Sequence, residues 1–299
     1  MKNELIEKEQ QVVVPELIEK YLQFIDVSSN TERTYNVGLK QYYNYLIENN
    51  IQNPTRETII NFREYLLQQH KPNTVNSYLI AIRNFYQWLE YEDITKDISK
   101  KIKGIKLENI HLKRGLSIEE IQRLINCCED IKEEVLVKLM LTCGLRVNEV
   151  RNIQLEDFYR DGDSIMLKIL GKGRAGLKQD VVKVDYRLFE LIQRYIVLYH
   201  ITDYLFVSNS NHNKGGMLSD ISIRRAINRL FKKANIDDDM ITPHSIRHTT
   251  VEQALESGHT IHEVSEFIRH KSIETTMRYS RELDKRKCNI CENIGDLVF

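Results

Sequence analysis

The sequence predicts a mainly α-helical protein in two domains, with a small antiparallel β-sheet confined to the C-terminal one. Three observations carry this expectation. The 299 residues suit two domains or one large one. Apolar residues recur at three- and four-residue spacing over most of the chain. One stretch alone, SIMLKILGKGRAGLKQDVVKVD (164–185), alternates apolar and polar residues on both sides of a Gly/Lys-rich turn. With only 4 Pro and 12 Gly, a turn-rich β architecture is excluded. Hydrophobic residues at 41% and charged residues at 29% suffice to build cores and exclude a disordered chain.

The first domain, residues 1–97, reads as a helical bundle. Tyr35, Leu39, Tyr42, Tyr43 and Leu46 form one stripe, and Val75, Leu79, Ile82, Phe85 and Leu89 another, with Asn73 expected as an N-cap. Met1 to Gln11 is charged and lacks the apolar core of a secretory signal, and no run approaches the ~18 apolar residues of a membrane helix. The expectation is a soluble, cytoplasmic protein. The five cysteines show no framework spacing, and Cys288-x-x-Cys291 lacks a second ligand pair, so no metal site is expected.

Residues 98–114 read as an extended basic linker. From Lys96 to Arg114 seven Lys/Arg stand against Asp97 and Glu108, a local net of +5. Such a run is either a solvated segment or a strap along a phosphate backbone, where each lysine displaces condensed counterions. Lys100, Lys101, Lys103 and Lys106 are its candidate contacts.

The second domain, 115–299, opens on a capping box, Ser117 with Glu120. An apolar helix follows up to a break at Gly144, then a further helix, the hairpin, and a short strand at YLFVS (204–208). An amphipathic helix carries Arg224, Arg225, Arg229, Lys232 and Lys233 on its polar positions.

Six residues of this domain could share one piece of chemistry: Arg146, Lys172, His244, Arg247, His270 and Tyr279. Two arginines can clamp a phosphate through fixed, paired N–H donors at any relevant pH. Two histidines can donate hydrogen bonds or move protons near neutrality. A hairpin lysine can protonate a leaving oxygen. A tyrosine hydroxyl, with its pKa near 10, needs cationic surroundings to attack. His244 and Arg247 stand at i,i+3 and share a helix face, with Thr242-Pro243 as N-cap and first helical residue. That helix start favours an anion. Glu149, three residues after Arg146, can brace a neighbouring cation.

Four strings in order carry a resemblance: TCGLRVNEV (142–150), GKGR (171–174), TPHSIRHT (242–249) and IRHKSIETTMRYS (268–280). They resemble the first-arginine box, hairpin lysine, His-x-x-Arg box and His-plus-tyrosine box of the tyrosine recombinase (phage integrase) family. The resemblance spans nearly the whole chain and implies a core-binding domain, a catalytic domain and a two-domain clamp on double-stranded DNA with a specific site. It implies that Tyr279 attacks the scissile phosphodiester to give a 3′-phosphotyrosyl link, and that Arg146 and Arg247 hold the non-bridging oxygens. His244 and His270 would contact the phosphate, Lys172 would protonate the 5′ oxygen, and Glu149 would support the first arginine. Lys178 competes with Lys172 on the same hairpin. No cofactor and no metal are implied, because one diester is exchanged for another.

The family usually has Leu-Gly-His where this chain has Ile268-Arg269-His270. A residue other than glycine there costs on the order of 1 kcal/mol or changes the turn, and Arg269 is a further candidate phosphate contact. The C-terminal tail resembles the segment through which such proteins assemble as tetramers on two duplexes; its plainer reading is a cap on its own domain. With a short stretch before the first helix, the expectation is a layout without an extra arm-binding domain, as in compact Xer-like or mobile-element recombinases. The zero net charge requires a basic inner face, expected from the linker and from Arg224 to Lys233, with the acidic run 128–134 facing away. Two other readings stand beside this one: a topoisomerase-like nicking and closing activity by the same chemistry, and a catalytically silent DNA-binding regulator.

Overall fold

The computed structural model describes residues 14–106, 114–170, 180–208, 210 and 213–287. The chain divides into two compact units, 1–110 and 111–299. Among the described residues no helix is long and apolar enough to cross a membrane.

Among the described residues, the first unit has four helices, α1 (Pro15–Phe24), α2 (Ser29–Glu48), α3 (Arg56–Leu67) and α4 (Pro72–Tyr91). The expected stripes form its core: Leu39, Tyr42 and Leu46 of α2 and Val75, Leu79, Ile82, Phe85 and Leu89 of α4 are buried. Tyr42 and Tyr86 bring their hydroxyls to 3.2 Å inside that core, so two polar atoms that would cost free energy alone satisfy each other. The cap of α4 lies earlier than Asn73. Lys71 is its N-cap and Pro72 its first residue, because a proline with fixed φ and no N–H fits that position.

The first part of the basic segment is folded onto this unit rather than extended. Ile102 is buried, Asn76 Nδ2 donates to Ile105 O at 3.0 Å, and Asn76 Oδ1 accepts from Ile105 N at 2.7 Å. Arg63 donates to Lys103 O at 3.2 Å and Arg83 to Ile102 O. These backbone partners hold the segment down while Lys100, Lys101, Lys103 and Lys106 stay exposed. Lys100 pairs with Glu90 at 2.7 Å.

The first described residue of the second unit, Arg114, pairs with Glu120 at 2.6 Å and Asp238 at 2.8 Å. Its helices are α5 (Ile118–Asn126), α6 (Ile131–Cys143), α7 (Val147–Arg151), α8 (Tyr186–Tyr199), α9 (Asp220–Lys233), α10 (Pro243–Glu256), α11 (Ile261–Ile268) and α12 (Ile273–Lys287). The Ser117/Glu120 capping box forms as expected. Helix α6 is the central post, with Val135, Leu136, Val137, Leu139, Met140 and Cys143 buried.

The sheet has three antiparallel strands in the order β1 (Phe158–Asp161), β2 (Ser164–Ile169) and β3 (Asp180–Val184). The hairpin of β2 and β3 lies where the alternation placed it, with Leu167 opposite Val182. Strand β1 is an addition, joined to β2 through Asp161-Gly162-Asp163, where Gly162 has φ +54°. The expected strand at YLFVS is instead two isolated bridges, Gln154 to Tyr204 and Val207 to Met217.

Candidate active site

The site is assembled from the ends of helices. Helix α6 stops at Gly144, whose left-handed conformation (φ +56°) turns the chain into Leu145 and Arg146. The conformation favours glycine, and a Cβ at this position would also force the tip of Ile268 to shift. Arg146 then caps α7, and Glu149 in the first turn accepts from Arg146 N at 2.9 Å.

Glu149 is the hub. Its side chain is 2% exposed, and it meets Arg146 Nη1 at 2.6 Å, Arg269 Nη2 at 3.3 Å and Arg247 Nη1 at 3.9 Å. Burial alone would raise its pKa, but the charges of Arg269, Arg146 and Arg247 and the Arg146 N–H outweigh burial and hold the carboxyl below its ordinary value. It is a buried anion shared by three cations.

Arg247 lies beneath the surface, on α10. Its Nη1 donates to Gly144 O at 2.6 Å and its Nη2 to Ile268 O. Those are carbonyls at the C-terminal ends of α6 and α11, where helices leave acceptors unpaired. The Nε is buried without a partner among the described residues. Burial first, and then Arg146, push the guanidinium pKa down to about 9. A cation held this way is still charged at neutral pH, and a nearby anion would relieve it. Arg146, 26% exposed on its side chain, stands above it.

His244 is exposed in the first turn of α10, directly after Pro243. Ser245 Oγ accepts from Thr242 N at 3.1 Å and fixes that helix start. His270 follows α11, and its Nδ1 meets Thr276 Oγ1 at 2.8 Å. Burial first, then Arg247, Arg146, His244 and Arg269, bring its pKa down to about 4. The ring is therefore neutral at pH 7 and can donate one N–H to an anion without carrying charge.

Arg269 resolves the departure at the turn before His270. It adopts the left-handed conformation usual for glycine, φ +59° and ψ +46°, so the turn itself is kept. Its side chain goes to Glu149 and lies against the end of α6, with Cys143 O at 3.4 Å. It is thus tied to the carboxylate rather than presented as a further phosphate contact.

Tyr279 is buried on α12, packed with Val251, Val264 and Ile268. Its hydroxyl is hydrogen-bonded to His248 Nδ1, and the two rings lie 5.1 Å apart. His248 in turn packs edge-on against His244 at 4.7 Å and 85°. His248 had no expected role, although one signal was available: it stands four residues after His244 and next to Arg247, on the same helix face.

Lys172 and its competitor Lys178 lie outside the described residues, as do Lys113, Cys288 and Cys291. The structure thus brings together five of the six expected residues, Arg146, His244, Arg247, His270 and Tyr279, with Glu149 beneath them.

Against this geometry, the phage integrase family model matches residues 114–286, and the phage integrase N-terminal SAM-like domain matches residues 18–93. The chain belongs to the phage integrase family. It is a tyrosine site-specific recombinase of the compact, Xer-like kind. Tyrosine recombinase XerD of Halalkalibacterium halodurans is 28% identical over 284 residues, covering 88% of this chain and 92% of that one. In fold, the recombinase matches XerH bound to a palindromic difH substrate in a post-cleavage complex, with TM-score 0.74, 18% identity and coverage of 98% and 100%. It also matches a lambda integrase tetramer on a Holliday junction, with TM-score 0.67, 14% identity and coverage of 88% and 76%.

The basic surface differs from expectation in one respect. On α9, Arg229 pairs with Glu133 and Lys233 with Glu129. The acidic run 128–134 therefore pairs with two of the three cations in the C-terminal half of the helix, Arg229 and Lys233, instead of facing away. Arg224 and Arg225, toward the N-terminal end, are exposed with no ion pair among the described residues.

Proposed function

We propose that the recombinase cleaves and rejoins DNA at a specific site through a 3′-phosphotyrosyl intermediate on Tyr279. In this reading it integrates, excises or resolves DNA as a tetramer on two duplexes. The observation that supports it most is the clustering of Arg146, His270 and Tyr279 about Arg247, with His244 beside His270 and the buried Glu149 carboxylate bridging the arginines. A phosphodiester seated over Arg146, with Arg247 beneath, would find cationic charge for its non-bridging oxygens. These cations strengthen their hold as charge builds in the pentacoordinate transition state. His244 and His270 would add N–H donors, that of His270 from a neutral ring. Lys172, or Lys178 on the same hairpin, would protonate the departing 5′ oxygen. One diester replaces another, so the step is close to isoenergetic and reversible, and the chemistry calls for no energy source.

DNA would be gripped through Lys100, Lys101, Lys103, Lys106, Arg224 and Arg225, all exposed. The C-terminal tail would join protomers. An apolar cavity of about 610 Å3 in the second unit, lined in part by Ile121, Leu141, Ala254, Val264 and Phe267, offers such a segment a seat.

The test is a duplex drawn from DNA flanking the gene, nicked so that a short fragment escapes after cleavage. In EDTA, the unaltered protein is expected to leave a covalent protein–DNA adduct on a denaturing gel, and Tyr279→Phe none. An adduct that forms equally with Tyr279→Phe contradicts the reading.

A further inference from the structure

The contact that the recombination chemistry above leaves unused is the one between Tyr279 and His248. For the Tyr279 hydroxyl to donate, His248 Nδ1 must be unprotonated and the ring proton must sit on Nε2. His248 is itself buried and is buttressed edge-on by His244 one turn earlier. The next residue back along α10 is Arg247, whose guanidinium is pinned to Gly144 O and Ile268 O. One rigid helix thus carries an arginine of the proposed phosphate clamp and the hydrogen-bond partner of the proposed nucleophile.

A phenol with its pKa near 10 is a weak nucleophile at neutral pH, and a base within hydrogen-bond reach is the usual remedy. We propose that His248 is a catalytic residue of this recombinase, the general base that takes the Tyr279 proton through Nδ1 as the tyrosine attacks phosphorus. This inference rests on Tyr279 being the nucleophile.

The step balances without a further reactant. The Tyr279 O–H bond breaks and its proton passes to His248 Nδ1. The phenolic oxygen forms the bond to phosphorus, and the bond from phosphorus to the 5′ oxygen breaks. That oxygen takes a proton from the hairpin lysine. The imidazolium left at position 248 returns its proton to the tyrosine when the strand is rejoined. His244, hydrogen-bonding to the phosphate, and His270, bound to Thr276, have other work. That division explains why a third histidine sits in the site.

The experiment is single-turnover adduct formation on the flanking duplex that the unaltered protein cleaves, comparing His248→Asn with the unaltered protein. Asparagine offers an acceptor near the place of Nδ1 but takes no proton. Retained melting temperature and DNA affinity identify a folded, binding-competent variant, and His248→Gln serves in its place if the asparagine variant does not fold. The expected loss is on the order of 100-fold or more in cleavage rate, becoming smaller as pH rises toward the range where tyrosine ionises unaided. A second substrate carries sulfur in place of the 5′ bridging oxygen, a leaving group that departs without a proton. The His248→Asn defect is expected to persist on it.

Rescue by the sulfur substrate would place His248 on the leaving group and overturn the proposal, as would an unchanged rate with the ordinary substrate. An adduct that survives Tyr279→Phe would instead remove the reading on which the proposal rests, and that result is distinct from either of these.

Discussion

Arg269 Nη2 lies 3.3 Å from Glu149 Oε2, reaching the carboxylate from a residue held at φ +59°. A strained backbone and a buried ion pair are therefore coupled in one side chain. The left-handed turn carries His270 into the site, and the guanidinium that the turn projects keeps Glu149 ionised between Arg146 and Arg247. Removing a side chain here would separate the two effects.

Arg269→Ala keeps the unfavourable conformation and removes the pair, whereas Arg269→Gly removes the pair but relieves the backbone. Both are expected to lower stability, with the glycine variant the more stable of the two by about 1 kcal/mol. Urea unfolding of the two variants measures the difference. An alanine variant as stable as the glycine variant would show that the turn carries no strain.

Gly144→Ala is expected to destabilise by more than about 2 kcal/mol, because the new Cβ meets Ile268 Cδ1 and the residue must stay left-handed. The same change displaces the carbonyl that receives Arg247 Nη1. Cleavage should therefore fall further than folding does, and thermal melts run beside adduct assays would show whether the two losses part in that direction.

His270 gives the stability a defined pH response. Its folded-state pKa of about 4 lies below the ordinary 6.5, so between these values the unfolded chain binds more protons than the folded one. Its contribution is complete above pH 6.5 and is lost as pH falls through that window toward 4. His270→Gln should flatten this part of the profile, a change worth on the order of 1–3 kcal/mol. Chemical denaturation at a series of pH values follows it, and an unchanged slope in the variant would contradict the assignment.

The two halves of α9 should behave differently toward DNA. Arg224→Ala and Arg225→Ala are each expected to weaken binding and to lower the salt-dependence slope by about 1, the effect of one phosphate no longer neutralised. Arg229→Ala, whose arginine is already paired with Glu133, should leave the slope nearly unchanged and show its effect in the melting temperature. Titrations at several salt concentrations distinguish the two patterns.

The legible parts of this molecule are those set by local chemistry. The stripes of α2 and α4, the Ser117/Glu120 cap and the β2–β3 hairpin each depend on residues within a few positions of one another, and each forms. Strand β1 has a local signal too, the Gly162-Asp163 turn, but the strand is only four residues long, too few for alternation to stand out. Other features have no local signal. The docking of residues 102–105 depends on Asn76 and Arg83, far back in the chain. The pairing of Arg229 and Lys233 depends on which helix lies beside α9. In the site, spacing pairs His244 with Arg247, and the resemblance to the family singles out Arg146, His270 and Tyr279. The partner of the tyrosine hydroxyl emerges only once α10 and α12 are packed together, because sequence spacing cannot say which of three histidines faces a ring on another helix.

The most direct test of the central claim is to digest the covalent protein–DNA adduct with protease and nuclease and locate the nucleotide-bearing residue by mass spectrometry. A phosphodiester-linked nucleotide on Tyr279, carried through its 3′ phosphate, is the predicted result. A nucleotide on any other residue, or one attached through a 5′ phosphate, would contradict it.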